Sequence, residues 1–455
     1  MTLYCYTLGT NINIMKHGSI SDSFKLKHVE AAGSCFLPLN KSQQNLTSHI
    51  SFVSNFNKKY SSPMMEEDKK MLSESEDYSK ELDVAVRAMQ MACLLYQKVQ
   101  DTLVSKSRCN DKVLFKDENS LLTIAEWSVQ AIVIWILSQS LGSENISILA
   151  KGDVQTLSKT NASELLEAVV KTVNECIAEA PRFGVQEYKS ALGTLEVLEL
   201  LSHCNSVEAP SARFWVLGPI DETSGFVNGD QYAVSLSLIE AGEVVLGVLG
   251  CPNYPMRKEW LSYHHSYHRI ISMLTPTTSE TWNKGCVIYA KKGSGKAWMQ
   301  PVLHVNKKFV WPNHAKQVSI SSIDNPALAT FCETVEKANS SHSFTEGLAL
   351  SVGLSKQPLR ARSAMKYVAL ACGNAEVFMK FGRASYKEKI WDHAAGVIII
   401  QEAGGIVTDV RGDPLDFSKG LYLEGLDRGI VACAGATLHE KIIDAVDASW
   451  SSSCL

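Results

Sequence analysis

The chain has twelve cysteines and not one C-x-x-C pair. That absence excludes an ordinary zinc ribbon and leaves no disulfide framework, and scattered thiols of this kind suit a reducing compartment. A bilayer-length apolar run is also lacking. The most apolar stretch, "AIVIWIL" at 131–137, is too short to span and reads as part of a buried helix. A formal charge of −4 gives no basic surface that would call for nucleic acid or an anionic membrane as partner. No internal repeat recurs, and no low-complexity linker interrupts residues 78–446. What remains is 45% apolar and 20% charged, a globular composition over 455 residues, enough for one large domain or two to three ordinary ones.

The N-terminal stretch lacks acids. Residues 1–64 hold Asp22 and Glu30 against six lysines, are rich in Ser, Thr and Asn, and contain no arginine. No signal-peptide apolar core stands out. Residues 1–77 are therefore expected to be a leader resembling an organellar transit peptide, for mitochondrion or plastid, although the missing arginine is atypical of a mitochondrial one. The alternative is a tail without an address, which would leave the protein cytoplasmic.

From Tyr78 the patterning changes. "YSKELDVAVRAMQMACLLYQKVQDTLV" places Leu82, Val86, Met89, Cys93, Tyr96 and Val99 at helical spacing, and "AEWSVQAIVIWILSQSL" and "ASELLEAVVKTVNECIAEA" predict two further helices. After 213, "RFWVLG", "YAVSLSLIEAG" and "EVVLGVLGC" are short, β-rich and punctuated by Gly, and they predict neighbouring antiparallel strands, followed by a hairpin over "GCVIYAKKGSGKAWMQPV". An N-terminal α+β portion over 78–315 and a C-terminal α/β portion over 316–446 are expected, with 447–455 as a tail. In the second portion "PALATFCETVEKA" and "RSAMKYVALACG" read as helices, and "AEVFMKF" as a strand. "WDHAAGVIIIQEAGG" reads as a buried helix stopped by glycine, with "IVTDV" as a closing strand.

Two local signals are discounted. "GSGK" at 293–296 lacks the G-x-x-x-x-G-K-[ST] spacing of a phosphate loop, because Ala290 and Ala297 stand at diagnostic places; a hairpin turn fits its alternating flanks. His264, His265 and His268 in "YHHSYH" have no H-E-x-x-H pattern and read as a polar surface segment rather than a metal site.

"WVLGPIDETSGF" at 215–226 is more informative. A strand ends in a Gly-Pro turn that offers the Ile220 carbonyl, the Asp221 carboxylate and the Thr223 hydroxyl, all oxygen donors suited to Mg2+. Alone it is a capped turn. "IWDHAAG" at 390–396 adds Asp392 at a helix start, followed by small residues that permit close approach of a backbone or a phosphate.

Together these segments resemble the inositol monophosphatase superfamily, whose pattern is D-P-I-D-G-T-x-G-F, and within it the 3'(2'),5'-bisphosphate nucleotidases of plant organellar type. "GVLGCPNYP", "SAMKY", "SYKEKIWDHAAG", "QEAGGIVTD" and "PLDFSKG" fit the same branch, and the likeness covers roughly residues 78–446. It implies a layered αβαβα sandwich of mixed α/β class, Mg2+ dependence and removal of the 3'-phosphate from 3'-phosphoadenosine 5'-phosphate. It implies metal contacts from Asp221, Ile220 and Asp392, and catalytic roles for Thr223 and Glu126. It further implies nucleotide contacts from Thr223, Asn339, His342, Ser363, Lys366, Lys380 and Asp392.

The departures from that pattern cluster. Gly218 stands for the first Asp, Glu222 for the Gly, Lys151 and Gly152 for two upstream acids, and Glu126 for an Asp. Asp153 or Glu222 would have to substitute as ligands. Lys151 places a positive charge where a cation is expected. Four of these changes correspond to single G/A exchanges, which suggests a decaying paralogue or an altered transcript or sequence. The expected protein is thus an impaired bisphosphate nucleotidase with a weakened Mg2+ site, or a nucleotide- or partner-binding relative without turnover.

Overall fold

Leu82, Val86, Met89, Cys93 and Tyr96 recur at three- and four-residue steps and are all buried. They form the inner stripe of the first helix, Ser79–Cys109 (α1). The computed structural model describes residues 77–452, except for 110–117, 144–145, 152–156, 158–162, 187–189, 206–211, 263–283, 304–307, 310–314, 336–341, 363, 383–386 and 424–428. The leader expected over 1–77 therefore lies almost wholly outside the described residues.

Helix α2 (Glu118–Leu141) is apolar all round rather than amphipathic. Residues 121–141 are long and apolar enough to cross a membrane by composition, yet 72% of the most apolar window is buried inside the protein. The helix packs against α1, α3 (Ser163–Ile177), α4 (Thr194–Ser202) and strand β3, which gives every face an apolar neighbour.

The first sheet has eight strands: β1 (Ile148–Ala150), β2 (Cys204–Asn205), β3 (Arg213–Asp221), β4 (Ala233–Glu240), β5 (Glu243–Pro255), β6 (Lys284–Lys291), β7 (Ala297–Pro301) and β8 (Lys316–Val318). Their order is β2-β1-β3-β4-β5-β6-β7-β8, parallel at β2-β1-β3 and antiparallel thereafter. The expected antiparallel neighbours are β3, β4 and β5. Ala241 (φ 49°) and Gly242 (φ 82°) make the left-handed two-residue turn between β4 and β5.

A short helix, α5 (Thr223–Val227), follows β3. The second sheet holds β9 (Phe331–Thr334), β10 (Leu359–Ala361), β11 (Val377–Lys380), β12 (Ile406–Asp409) and β13 (Ile430–Cys433) in the order β10-β9-β11-β13-β12. It is accompanied by helices α6 (His342–Val352), α7 (Met365–Ala371), α8 (Ala394–Glu402) and α9 (Ala436–Ser452).

Three apolar clusters show the layering. Leu217, Val234, Leu236 and Val248 face α1 and α2. The alternate residues Val216, Leu249 and Ile288 face α7 and α8, whose other side meets Phe378 and Ala432 of the second sheet. Val377, Met379 and Val431 point the opposite way, onto Leu348 of α6 and Leu438 and Ile442 of α9. The two-residue period of the strands thus divides helix, sheet, helix, sheet and helix into five layers.

Two expectations need correction. "PALATFCETVEKA" is not a helix: a 3-10 turn occupies Pro326–Leu328 and β9 occupies Phe331–Thr334. Pro326 starts the turn, and β9 has parallel neighbours on both edges and burial on both faces, so its short apolar run carries no strand period. "IVTDV" does form β12, but β13 follows it and lies between β11 and β12. The α8 stop falls where glycine was expected, with Gly404 at φ 100°.

Candidate functional site

Strand β3 reaches the site through a register shift between Gly218 and Asp221. Pro219 lies in that irregularity, where its missing N–H costs no ladder bond. The Tyr96 hydroxyl of α1 donates to the Pro219 carbonyl, and Gln100 Nε2 of the same helix donates to the Phe226 carbonyl at 2.8 Å. One helix therefore holds both ends of the turn. Asp221 Oδ2 accepts the backbone N–H of Ala364 at 2.9 Å, which ties the first sheet's turn to the start of α7.

Asp392 closes a 3-10 turn, Ile390–Asp392. The cap of α8 is His393, so the capping role that an Asp in this place suggests does not fall to Asp392. Burial pushes the Asp392 carboxyl up to about 7, and the nearby Asp221 charge pushes the same way, against Lys380 and Lys389. Strand β3, which ends at Asp221, and the 3-10 turn that ends at Asp392 pack against each other.

The small residues after Asp392 serve packing. A Cβ at Gly396 would collide with the Tyr367 ring, and one at Gly247 would meet the Ala395 backbone. The Tyr367 hydroxyl hydrogen-bonds His393 Nδ1 at 2.7 Å, and His393 Nε2 meets Glu388 Oε2 at 2.9 Å. Lys380 Nζ donates to that same Glu388 oxygen at 2.6 Å. Burial opposes ionisation of Glu388, but the His393 hydrogen bond and the Lys380 ammonium outweigh it and hold the carboxyl at about 2. Burial holds His393 below its ordinary range, so the neutral ring donates from Nε2 and accepts at Nδ1. Lys380 is thus engaged by Glu388. Lys366 is 4% exposed, with its ammonium 5.2 Å from the Phe378 ring centroid.

The β1–β3 register ends with Ala150 paired to Leu217, one residue before Lys151 and Gly218. The Lys151 ammonium contacts Glu126 Oε1 of α2 at 3.0 Å. At Gly218 the space for a side chain is filled. A Cβ there would collide with Ser235 Oγ and lie 3.2 Å from the Trp391 carbonyl, and Ser235 Oγ already donates to that carbonyl at 2.8 Å. Glu222 is paired with Arg362 at 2.8 Å.

Gly152, Asp153, Asn339, Ser363 and the three histidines at 264, 265 and 268 lie outside the described residues, as does the His342 side chain at the start of α6. "GSGK" is the β6–β7 hairpin turn. Gly293 and Gly295 have positive φ, and their N–H groups bind Glu402 at 2.7 and 2.6 Å, so the chain's own carboxylate occupies that loop.

Among the described residues no group of three or more His, Cys, Asp or Glu side chains gathers to hold a metal. Asp221, Asp392 and the Ile220 carbonyl remain as oxygen donors, but Glu126 is spent on Lys151 and Gly218 brings no ligand. Among the described residues this set holds fewer carboxylates than a two-metal phosphatase centre uses. Sequence reasoning missed Arg362, Asp230, Glu388, Tyr96 and Gln100. Apart from Glu388, whose partners Lys380 and His393 are 8 and 5 residues away, they have partners up to 153 residues away in the chain, which no local spacing signals.

Residues 118–451 match the Inositol monophosphatase family, and the chain belongs to that family. It is 54% identical over 375 residues to the 3',5'-bisphosphate nucleotidase AHL of Arabidopsis thaliana, covering 82% of this chain and 98% of that one. It is 36% identical over 356 residues to a 3'(2'),5'-bisphosphate nucleotidase of Oryza sativa, covering 78% and 90% of the two chains. Among solved structures, Mycobacterium tuberculosis SuhB aligns at 15% identity and TM-score 0.46, covering 82% and 98%. CysQ of Bacteroides thetaiotaomicron aligns at 14% identity and TM-score 0.44, covering 80% and 100%.

Proposed function

We propose that the site binds adenosine bisphosphates and hydrolyses the 3'-phosphate of 3'-phosphoadenosine 5'-phosphate only weakly. The relatives' names support the substrate class. The observation that carries the impairment is the Lys151–Glu126 ion pair at 3.0 Å, which engages a site carboxylate with a positive charge just past the end of β1. Two unit charges about 4 Å apart interact by roughly 4 kcal/mol at an effective dielectric near 20, and by about twice that for a divalent ion. Lys151 is 46% exposed, so solvent screening makes that figure a ceiling.

In this reading Asp221, Asp392 and the Ile220 carbonyl form a residual, weak Mg2+ site, with Gly152 contributing no side chain. Thr223 and Glu126 would serve the phosphate and the attacking water. Asn339, His342, Ser363, Lys366 and Lys380 are proposed as the nucleotide contacts by their match to the family's motifs, with Lys380 paired to Glu388. The leader is proposed as a transit peptide, and a fluorescent fusion of residues 1–77 found in the cytosol would refute that.

The functional test is phosphate release from 3'-phosphoadenosine 5'-phosphate with Mg2+, beside nucleotide binding measured by calorimetry. Binding with slow release is expected. Binding with no release identifies the alternative, a nucleotide-binding relative without turnover. Turnover typical of an efficient phosphatase, or no binding, overturns the proposal.

A further inference from the structure

Glu222 has φ 72° and ψ 69°, a left-handed conformation that residues with a Cβ rarely adopt. Among the described residues only one other non-glycine, Ala241 in a hairpin turn, has positive φ. Such a conformation persists where the surroundings over-determine it. Here Arg362 Nη1 meets Glu222 Oε1 at 2.8 Å and Ser224 Oγ at 3.1 Å, and Arg362 Nε meets Asp230 Oδ2 at 2.9 Å. The Ser224 hydroxyl donates to the same Glu222 oxygen. The three charged side chains are 13%, 10% and 5% exposed for Arg362, Glu222 and Asp230.

Asp230 is itself anchored. Its N–H donates to the Gly225 carbonyl at 2.7 Å, and its carbonyl accepts from Asn253 Nδ2 at 2.7 Å. Asn253 Nδ2 also reaches Gln100 Oε1 at 3.0 Å, on the helix that holds the turn from the other side. The guanidinium thus binds both ends of segment 222–230 at once. Two residues further on, the Ala364 N–H binds Asp221.

We propose that Arg362 is the positioning residue of the turn bearing Asp221 and Thr223, with Glu222 and Asp230 as its counter-ions, and that this triad sets how strongly the site distinguishes a phosphorylated ligand from an unphosphorylated one. The proposal rests on the reading that the site binds adenosine bisphosphates. A guanidinium fork spanning two desolvated carboxylates fixes geometry in a way that a lysine ammonium does not. Loss of the fork frees the turn while leaving the apolar layers, and any contacts to adenosine, in place.

The test compares the affinities for adenosine 3',5'-bisphosphate and adenosine in wild type, Arg362→Lys, Arg362→Ala and Asp230→Asn. The readout is their ratio, which a general loss of packing does not move. The ratio should fall about tenfold in both Arg362 variants, the worth of one charged hydrogen bond, and about threefold in Asp230→Asn. If Arg362→Ala does not fold, the lysine and Asp230 variants decide. Wild-type discrimination with an unchanged ratio in every folded variant overturns this proposal alone. A wild type that binds neither ligand overturns the functional reading and this one with it.

Discussion

Restoring a carboxylate at position 218 is the obvious attempt at repair, and the structure argues that alone it will fail. The Cβ of Gly218→Asp enters the space of Ser235 Oγ and approaches the Trp391 carbonyl at 3.2 Å. Overpacking a tight buried position costs about 1–3 kcal/mol. Displacing Ser235 also breaks its 2.8 Å hydrogen bond to Trp391, worth about 1 kcal/mol. A destabilisation of about 2–4 kcal/mol is expected, readable in urea denaturation as a lower midpoint with an unchanged slope. The new side chain would point toward Ser235 and Trp391, and Glu126 would stay engaged by Lys151. One added carboxylate would therefore not assemble a cation site. Phosphate release should therefore not rise in the single variant. Adding Ser235→Ala removes the collision and should recover most of the stability. Adding Lys151→Glu and Gly152→Glu as well should bring Mg2+-dependent hydrolysis, by more than the product of the separate gains, because residues of one catalytic unit are not additive. A single Gly218→Asp variant as stable as wild type and actively hydrolytic would refute the reasoning.

Four further outcomes are expected. Glu222→Gly relieves a left-handed residue, worth about 1 kcal/mol, but strips a nearly buried ion pair whose breakage costs about 3–5 kcal/mol, so the melting temperature should fall; a rise would contradict the triad. Glu388 has its folded value depressed from 4.5 to about 2, so its contribution is present above pH 4.5 and is lost as pH falls toward 2. Glu388→Gln should accordingly cost at most about 3 kcal/mol at pH 7 and progressively less in acid, and a pH-independent cost would count against the Lys380–Glu388–His393 network. Gly396→Ala should destabilise by about 1–3 kcal/mol through the Tyr367 ring, measured by thermal melting, and a neutral result would return the small residues to a ligand-approach role. Lys296→Ala should leave nucleotide affinity unchanged, since the loop before it binds Glu402; a tenfold loss would revive the phosphate-loop reading.

The large sheet was legible because its strands alternate and its turns carry glycine: β3, β4, β5 and the β6–β7 hairpin fall where the patterns place them. β9 was not legible, because a four-residue strand buried on both faces has no period to distinguish it from a helix. β1 and β2 were missed for want of length, at three and two residues. At the site, Asp221 and Asp392 could be paired from sequence because each sits in a distinctive motif. Arg362 could not, since its meaning depends on Glu222 and Asp230, which only the fold brings within 3 Å of it. The glycine and alanines after Asp392 were legible as a demand for close approach. What approaches is Tyr367, and a sequence cannot say which neighbour a missing Cβ makes room for.

The departures read in the sequence suggested decay, and the structure bears on that physically. Random loss in a carboxylate-rich site leaves lesions behind: a stranded charge, an unfilled space, a strained residue without support. At three of the altered positions the neighbours pair with the residue or fill the space beside it. The Lys151 ammonium sits on Glu126, the space beside Gly218 holds a Ser235 hydroxyl bonded across to Trp391, and the left-handed Glu222 is held by Arg362 and Ser224. Lys151 and Glu222 each have a partner on a different segment, and leaving a largely buried Glu222 unpaired would cost several kcal/mol in a fold whose net stability is only of order 5–15 kcal/mol. Partners of this kind accumulate when a chain is still selected to fold around the site and to keep its shape. A site whose carboxylates are answered by its own lysine and arginine has less need of a divalent ion to stay assembled. Under the proposed function, binding with weak turnover is the expected result, since positioning groups would remain while Lys151 and Gly218 would withhold charge stabilisation from hydrolysis.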